Sequence, residues 1–63
     1  MSEHEYDLFE KGSDETVIWQ CSVRGALAAE EKISLLSLLT DREVFAICMA
    51  TNEVVARGNT KVS

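Results

Sequence analysis

A chain of 63 residues has room for one domain with a thin core, because a domain of this size buries only about 60% of the surface that its unfolded chain exposes. With 46% hydrophobic and 27% charged residues it is too apolar for intrinsic disorder, and no apolar run nears the roughly 18 residues that span a bilayer. The net charge of −5 lies wholly in residues 1–15, where Glu3, Glu5, Asp7, Glu10, Asp14 and Glu15 face Lys11 alone, so there is no concentrated positive field of the kind that holds nucleic acid.

Residues 1–4 hold nothing apolar and are expected to fray. From Glu5 to Lys11 the pattern Tyr6, Leu8 against Asp7 predicts a strand, with Phe9 breaking strict alternation. Gly12-Ser13-Asp14-Glu15 is turn chemistry, since glycine permits positive φ and Ser and Asp bond their own backbone. Thr16 to Arg24 alternates cleanly. A regular strand puts Val17, Trp19, Cys21 and Val23 on one face and Ile18, Gln20, Ser22 and Arg24 on the other. Trp19 is expected to anchor the core on the first of these faces. The two strands read as a hairpin with a loop of about four residues.

Gly25 ends that strand, and Ala26 to Leu39 is made of good helix formers without glycine or proline. At the helical period Ala28, Leu35 and Leu39 cluster, Ala29, Ile33 and Leu36 extend the arc, and Glu30, Ser34 and Ser37 mark the wet side. Leu27 and Leu38 fall at the boundary, and Lys32 projects into the apolar arc, where it must snorkel. So wide an arc either wraps a concave sheet or leaves a leucine edge for a partner.

Thr40-Asp41-Arg42 is an exit turn, and Glu43 to Thr51 is a nearly continuous apolar strand. A two-residue turn at Thr51-Asn52 leads into a last strand from Glu53 to Arg57. In that register Phe45, Ile47, Met49, Val54 and Ala56 form the bulky face of a second hairpin and meet the helix, while Ala46, Cys48, Val55 and Arg57 face away. Residues 59–63 read as a frayed polar tail. The expected fold is α+β with the order ββαββ: a single domain, 1–63, in which two hairpins make a four-stranded sheet and one helix packs on one face.

No constellation for catalysis stands out. Cys21 and Cys48 form no C-x-x-C spacing and sit in apolar strands, where a free cysteine acts as a small hydrophobe. The one histidine, His4, lies in the frayed end and cannot activate either thiol. Glu30 and Glu31 point apart on the helix, and a chain this short leaves little room for a cleft around any carboxylate. The glycines do not make a phosphate loop, and Val23-Arg24-Gly25-Ala26 offers only ordinary helix-start amides. No catalytic residue, cofactor site or metal site is assigned, and the chain does not read as an enzyme. Without a basic, apolar leader or a lipidation motif, a cytoplasmic setting is expected.

The stretch Trp19-Gln-Cys-Ser-Val-Arg-Gly25, the Ala/Leu/Glu helix, Val44-Phe45-Ala46 and Thr51-Asn-Glu-Val-Val-Ala-Arg57 together resemble a group of small uncharacterised bacterial proteins of about this length. The resemblance covers most of the chain, and its motifs are structural, so it implies no activity and no site residues.

The expected role is a non-enzymatic protein-interaction or regulatory domain, with a second copy or another protein as partner and neither nucleic acid nor membrane. A thin core without disulfide or metal favours reinforcement as a homodimer. Ile18, Leu27, Leu38, Val55 and Arg57 are the candidate interface residues. One alternative is an acidic docking or inhibitor protein that offers Glu10, Asp14 and Glu15 to a basic partner; another is a small-ligand-binding domain.

Overall fold

The computed structural model describes residues 4–60. Within them lie β1 (Glu5–Lys11), β2 (Val17–Arg24), α1 (Ala26–Leu39), β3 (Val44–Cys48) and β4 (Val54–Gly58). The order ββαββ and the single four-stranded sheet are as the patterning predicts, and the strands lie in the order β2-β1-β3-β4. All three ladders are antiparallel. β2 and β3 therefore run parallel with β1 between them, and α1 carries the chain across one face from the β2 edge back to the centre.

Each connection has a local cause. At the first turn the Gly12 N–H donates to the Thr16 carbonyl at 2.6 Å, and Glu15 takes a left-handed φ of 67°. The second turn is longer than the expected two residues. Cys48 N–H donates to Glu53 O at 2.9 Å and Asn52 N–H to Cys48 O at 2.7 Å, with Asn52 left-handed, a conformation that asparagine tolerates well. Gly25 holds φ 93° and ψ 140° at the start of α1, a region open essentially to glycine alone.

The faces differ from the sequence reading, and two β-bulges explain why. In the β1–β2 ladder Leu8 pairs with Cys21 but Phe9 pairs with Trp19, which leaves Gln20 as an extra residue on β2. An extra residue reverses the alternation beyond it. Cys21 and Val23 pack toward α1, whereas Val17 and Trp19 turn to the opposite face, where Trp19 is 56% exposed. Trp19 is thus not the core anchor that its alternation predicts. In the β3–β4 ladder Ala46 pairs with Ala56 but Ile47 with Val54, so Val55 is the extra residue there. This overturns the register expected from a two-residue turn and splits Val54 from Ala56, which that register puts on one face.

The helix covers the smaller face of β3. Val44, Ala46 and Cys48 are buried with Tyr6 and Leu8 of β1 and with Ala29 and Ile33 of α1, and Cys21, Val23, Leu36 and Ala56 pack around them. Ala46 and Cys48 are therefore core and do not belong to the open face. The inward side of α1 also differs from the expected arc. Ser37 is half-buried, while Leu35, Leu38 and Leu39 are exposed. Gly58 is the reason: a Cβ there would sit 3.1 Å from Ile33 Cγ2, Ser37 Cβ and Val44 Cγ2, so the helix rests directly on the β4 backbone at that point.

Asn59, part of the tail that the sequence predicts to fray, ties the end of α1 to the sheet. Its Nδ2 amide donates to the carbonyls of Ser37 at 3.0 Å, Thr40 at 2.6 Å and Arg42 at 3.1 Å, two protons shared among three acceptors. The last turn of α1 has no basic residue to do this, and unpaired terminal carbonyls are costly to bury. His4 is also engaged, its carbonyl accepting from Gly25 N–H at 2.9 Å. Thr60 is exposed and outside any regular element, and the rest of the segments expected to fray, 1–3 and 61–63, lies outside the described residues.

Two outcomes test this packing. Leu8, fully buried, should lower the unfolding free energy by about 2–5 kcal/mol when changed to Ala. Trp19→Ala at low micromolar concentration should cost less than about half of that, as urea denaturation will read, because truncating a mostly exposed ring leaves little cavity. Asn59→Ala should cost about 1–3 kcal/mol through three orphaned carbonyls. Asn59→Gly keeps the left-handed backbone easy and should recover part of the loss, not all of it; full recovery would show that the amide does nothing.

Candidate interaction surface

The sheet face away from α1 is organised in rows that the ladders define. Trp19 of β2, Phe9 of β1, Phe45 of β3 and Arg57 of β4 pair in sequence across all four strands. Phe9 and Phe45 stack with centroids 5.5 Å apart and planes 24° apart. On one side of this row Lys11 pairs with Val17, and its N–H donates to the Glu43 carbonyl at 2.8 Å. On the other side Ser22, Asp7, Ile47 and Val54 form the next row.

On the Asp7 side of the aromatic row the polar side chains are already paired. Asp7 Oδ1 accepts from Ser22 Oγ at 2.6 Å and from Trp19 Nε1 at 3.3 Å, so the indole is held against the sheet with its ring open to solvent. At the next step Arg24 pairs with Glu5 at 3.3 Å, both well exposed, where an ion pair adds little. What is left uncovered is an apolar patch with three charges around it: Val17, Trp19 and Val54 are exposed, Phe9, Phe45 and Ile47 are half-buried, and Lys11, Glu43 and Arg57 line the same depression.

The surface is too shallow for a small-molecule site. Its depression, lined by Lys11, Val17, Glu43, Phe45, Val54 and Arg57, holds about 260 Å³, below the usual range for ligand pockets of about 300–1,000 Å³. A wider groove of about 680 Å³ lies at the C-terminal end of α1. Its polar groups are committed to one another: Glu10 accepts from Thr40 Oγ1 at 3.2 Å and from Gln20 Nε2 at 3.3 Å and lies 3.8 Å from Arg42, and Asn59 is spent on carbonyls.

The candidate interface residues are not brought together. Arg57 ends the aromatic row on the open face. Ile18 pairs with Glu10 at the β2 edge, on the side that faces α1, and Val55 is the bulge residue of β4. Leu27 and Leu38 lie on the outer side of α1, 72% and 84% exposed, with Leu35 and Leu39 beside them. The acidic trio is also divided. Glu10 is turned under the end of α1 in the contacts above, whereas Asp14 and Glu15 sit exposed in the first turn. Sequence reasoning misses Trp19 and Phe45 as surface residues because their spacing is that of a core. The one hint is Phe9, whose position beside Leu8 denies both residues the same face.

Neither cysteine forms a reactive centre. Cys21 and Cys48 are free, and β1 lies between their strands. Cys21 pairs with Leu8 and Cys48 with Tyr6, so two strand spacings across and two residues along put them roughly 12 Å apart, beyond the reach of a disulfide. A hydrogen bond from the Thr51 side chain holds the Cys48 thiol below its ordinary value, against the opposing effect of burial. Among the described residues no cluster of three metal-ligating side chains exists, and no helix is long and apolar enough to cross a membrane.

No family model matches the chain, and neither a curated protein nor a solved structure proves similar to it.

The first turn carries a titration signature. Thr16 Oγ1 donates to Asp14 Oδ1 at 2.7 Å and the Thr16 N–H does so at 3.4 Å, which holds the Asp14 carboxyl below its ordinary value. A depressed folded-state value means that the stabilisation is complete above the unfolded aspartate value and is lost as pH falls through the folded one. NMR titration should find Asp14 ionising below an ordinary aspartate, and Thr16→Ala should return it toward that value.

Proposed function

We propose that this chain is a non-enzymatic protein-interaction module that self-associates through the open face of its sheet. The observation that carries this reading is the row Trp19–Phe9–Phe45–Arg57, built on a rigid sheet and left uncovered. Tryptophan and arginine, which here flank the two stacked rings, are residue types that dominate binding energy at protein interfaces, whereas leucine is under-represented among them. This favours the sheet face over the leucine ridge of α1. Rigid aromatic side chains also lose little conformational entropy on being covered.

The need for a partner follows from size. The two largest fully buried side chains are Leu8 and Val44, and a core this light supports only a few kcal/mol of stability. Covering the aromatic row supplies apolar burial that the single chain cannot arrange, since α1 already occupies the other face. The acidic first hairpin is the weaker docking surface because Glu10 is engaged within the fold. Two unpaired thiols suit a reducing, cytoplasmic setting.

Trp19 is the single tryptophan and serves as the reporter. On dilution its emission should move to the wavelength of a solvated indole, and on concentration it should move to the blue in step with the mass measured by sedimentation. A monomer at all concentrations with unchanging emission would remove self-association.

A further inference from the structure

We infer that the open face pairs with the same face of a second copy about a two-fold axis that runs along the strands between β1 and β3, in the register where Lys11 of each copy meets Glu43 of the other. This rests on the reading of the open face as the self-association surface and adds to it the partner's orientation.

The argument is one of self-complementarity. A two-fold contact brings one patch against itself, so residue i meets j and j meets i. In the order β2-β1-β3-β4 an axis along the strands at the sheet's midline lays β1 over the partner's β3 and β2 over the partner's β4. It leaves heights along the strands unchanged, so each row falls on its own copy read in reverse. The aromatic row then sets Phe9 on Phe45 and Trp19 on Arg57, twice each. A guanidinium over an indole face is the better cation–π pair. The adjoining row sets Lys11 on Glu43, again twice. Opposite charges thus meet in the adjoining row, and the one charge of the aromatic row meets the face of a ring.

Alternative arrangements lack this match. An axis perpendicular to the strands within the face lays each strand on itself, placing Arg57 against the β4 of the partner and Lys11 against its β1 at matched distances from the axis, with no charge exchange between strands. Aligned sheets cross at about 30°. At the edge strands, about 7 Å from the axis, that rotation shifts the contact by about one residue, which the long Arg57 side chain spans. The central pairs of β1 with β3 hardly move. Asp7, held by Ser22 and Trp19, lies in the next row and marks the side toward which the contact must end.

The test is a charge swap read in mixtures. Lys11→Glu puts two like-charged pairs into a homodimer, and so does Glu43→Lys; each should weaken self-association by about tenfold or more, as measured by sedimentation and Trp19 emission. Lys11 and Glu43 are also neighbours within one chain, so a doubly swapped chain would not tell an internal pair from one between copies. An equimolar mixture of the two single variants does, because only the heterodimer restores opposite charges at both contacts between copies, while the like-charged neighbours within each chain stay as they are. Recovery of association in the mixture, at low salt and fading as salt rises, supports the register. A wild-type dimer that Trp19→Ala weakens but whose charge variants associate normally, or whose mixture associates no better than either variant alone, overturns the register and leaves the face assignment standing. A wild-type chain that stays monomeric to millimolar concentration overturns both.

Discussion

The helix can lie on this sheet only where the sheet is nearly bare. Along its contact it meets Ala46, Ala56 and Gly58, presents Ala29 in return, and at Gly58 leaves little room for even a methyl group. Tyr6, Leu8 and Val44 pack beside that contact on the same face, and the bulkier side chains of β3 find another place. Phe45 and Ile47 alternate with Val44 and Ala46 on one strand and so fall on the far side by simple period-two geometry. The edge strands obey the same constraint through their bulges, which send Trp19 and Val54 outward while Cys21, Val23 and Ala56 stay under the helix. The small core and the aromatic outer face are two results of one steric requirement.

Polar chemistry follows the same division. On the helix side, Glu10 is half-covered by the end of α1 and is answered by Thr40, Gln20 and Arg42, while Asn59 answers the carbonyls of the helix terminus; no buried side-chain polar atom among the described residues lacks a partner. On the open side, Asp7 is answered by two donors of its own hairpin, which tempers the carboxylate as a centre of repulsion and fixes the indole in place. The remaining charges there, Lys11, Glu43 and Arg57, stand around the stacked rings. An interface of the proposed kind needs this arrangement, apolar in the middle and charged at its margin, with affinity in the centre and orientation at the edge.

Much of this architecture is legible in the residues, and the illegible part has a definite cause. The bounds of β1 and α1 follow from alternation, glycine punctuation and helix propensity, and the order ββαββ from their sequence. What alternation cannot reveal is a bulge placed inside a perfectly alternating segment. Val17, Trp19, Cys21 and Val23 carry the pattern of one buried face, yet the insertion of Gln20 splits them two and two. The same happens where Val55 separates Val54 from Ala56. Gly58 looks like the end of a strand and is the seat of the helix, and Asn59 looks like tail because its three acceptors lie 17 to 22 residues back along the chain. Of the candidate interface, Arg57 lies on the open face as its alternation predicts, while Trp19 reaches that face only because the fold does not keep the parity of β2.

Edge bulges also bear on which kinds of association the sheet permits. A sheet of four strands has two edges, here β2 and β4, and each offers unpaired backbone groups to any passing strand. Both edges are interrupted, β2 near its middle at Gln20 and β4 near its start at Val55, which breaks the regular spacing that a further strand would need. Edge-to-edge growth, which has no natural end, is thereby discouraged. Face-to-face association has an end built in, because α1 closes the opposite side of each sheet and one pairing uses up the open face. The bulge at Gln20 that exposes Trp19 also blunts the β2 edge, and the bulge at Val55 that turns Val54 outward blunts the β4 edge, so the residues that enlarge the open apolar face also discourage growth at the sheet's margins.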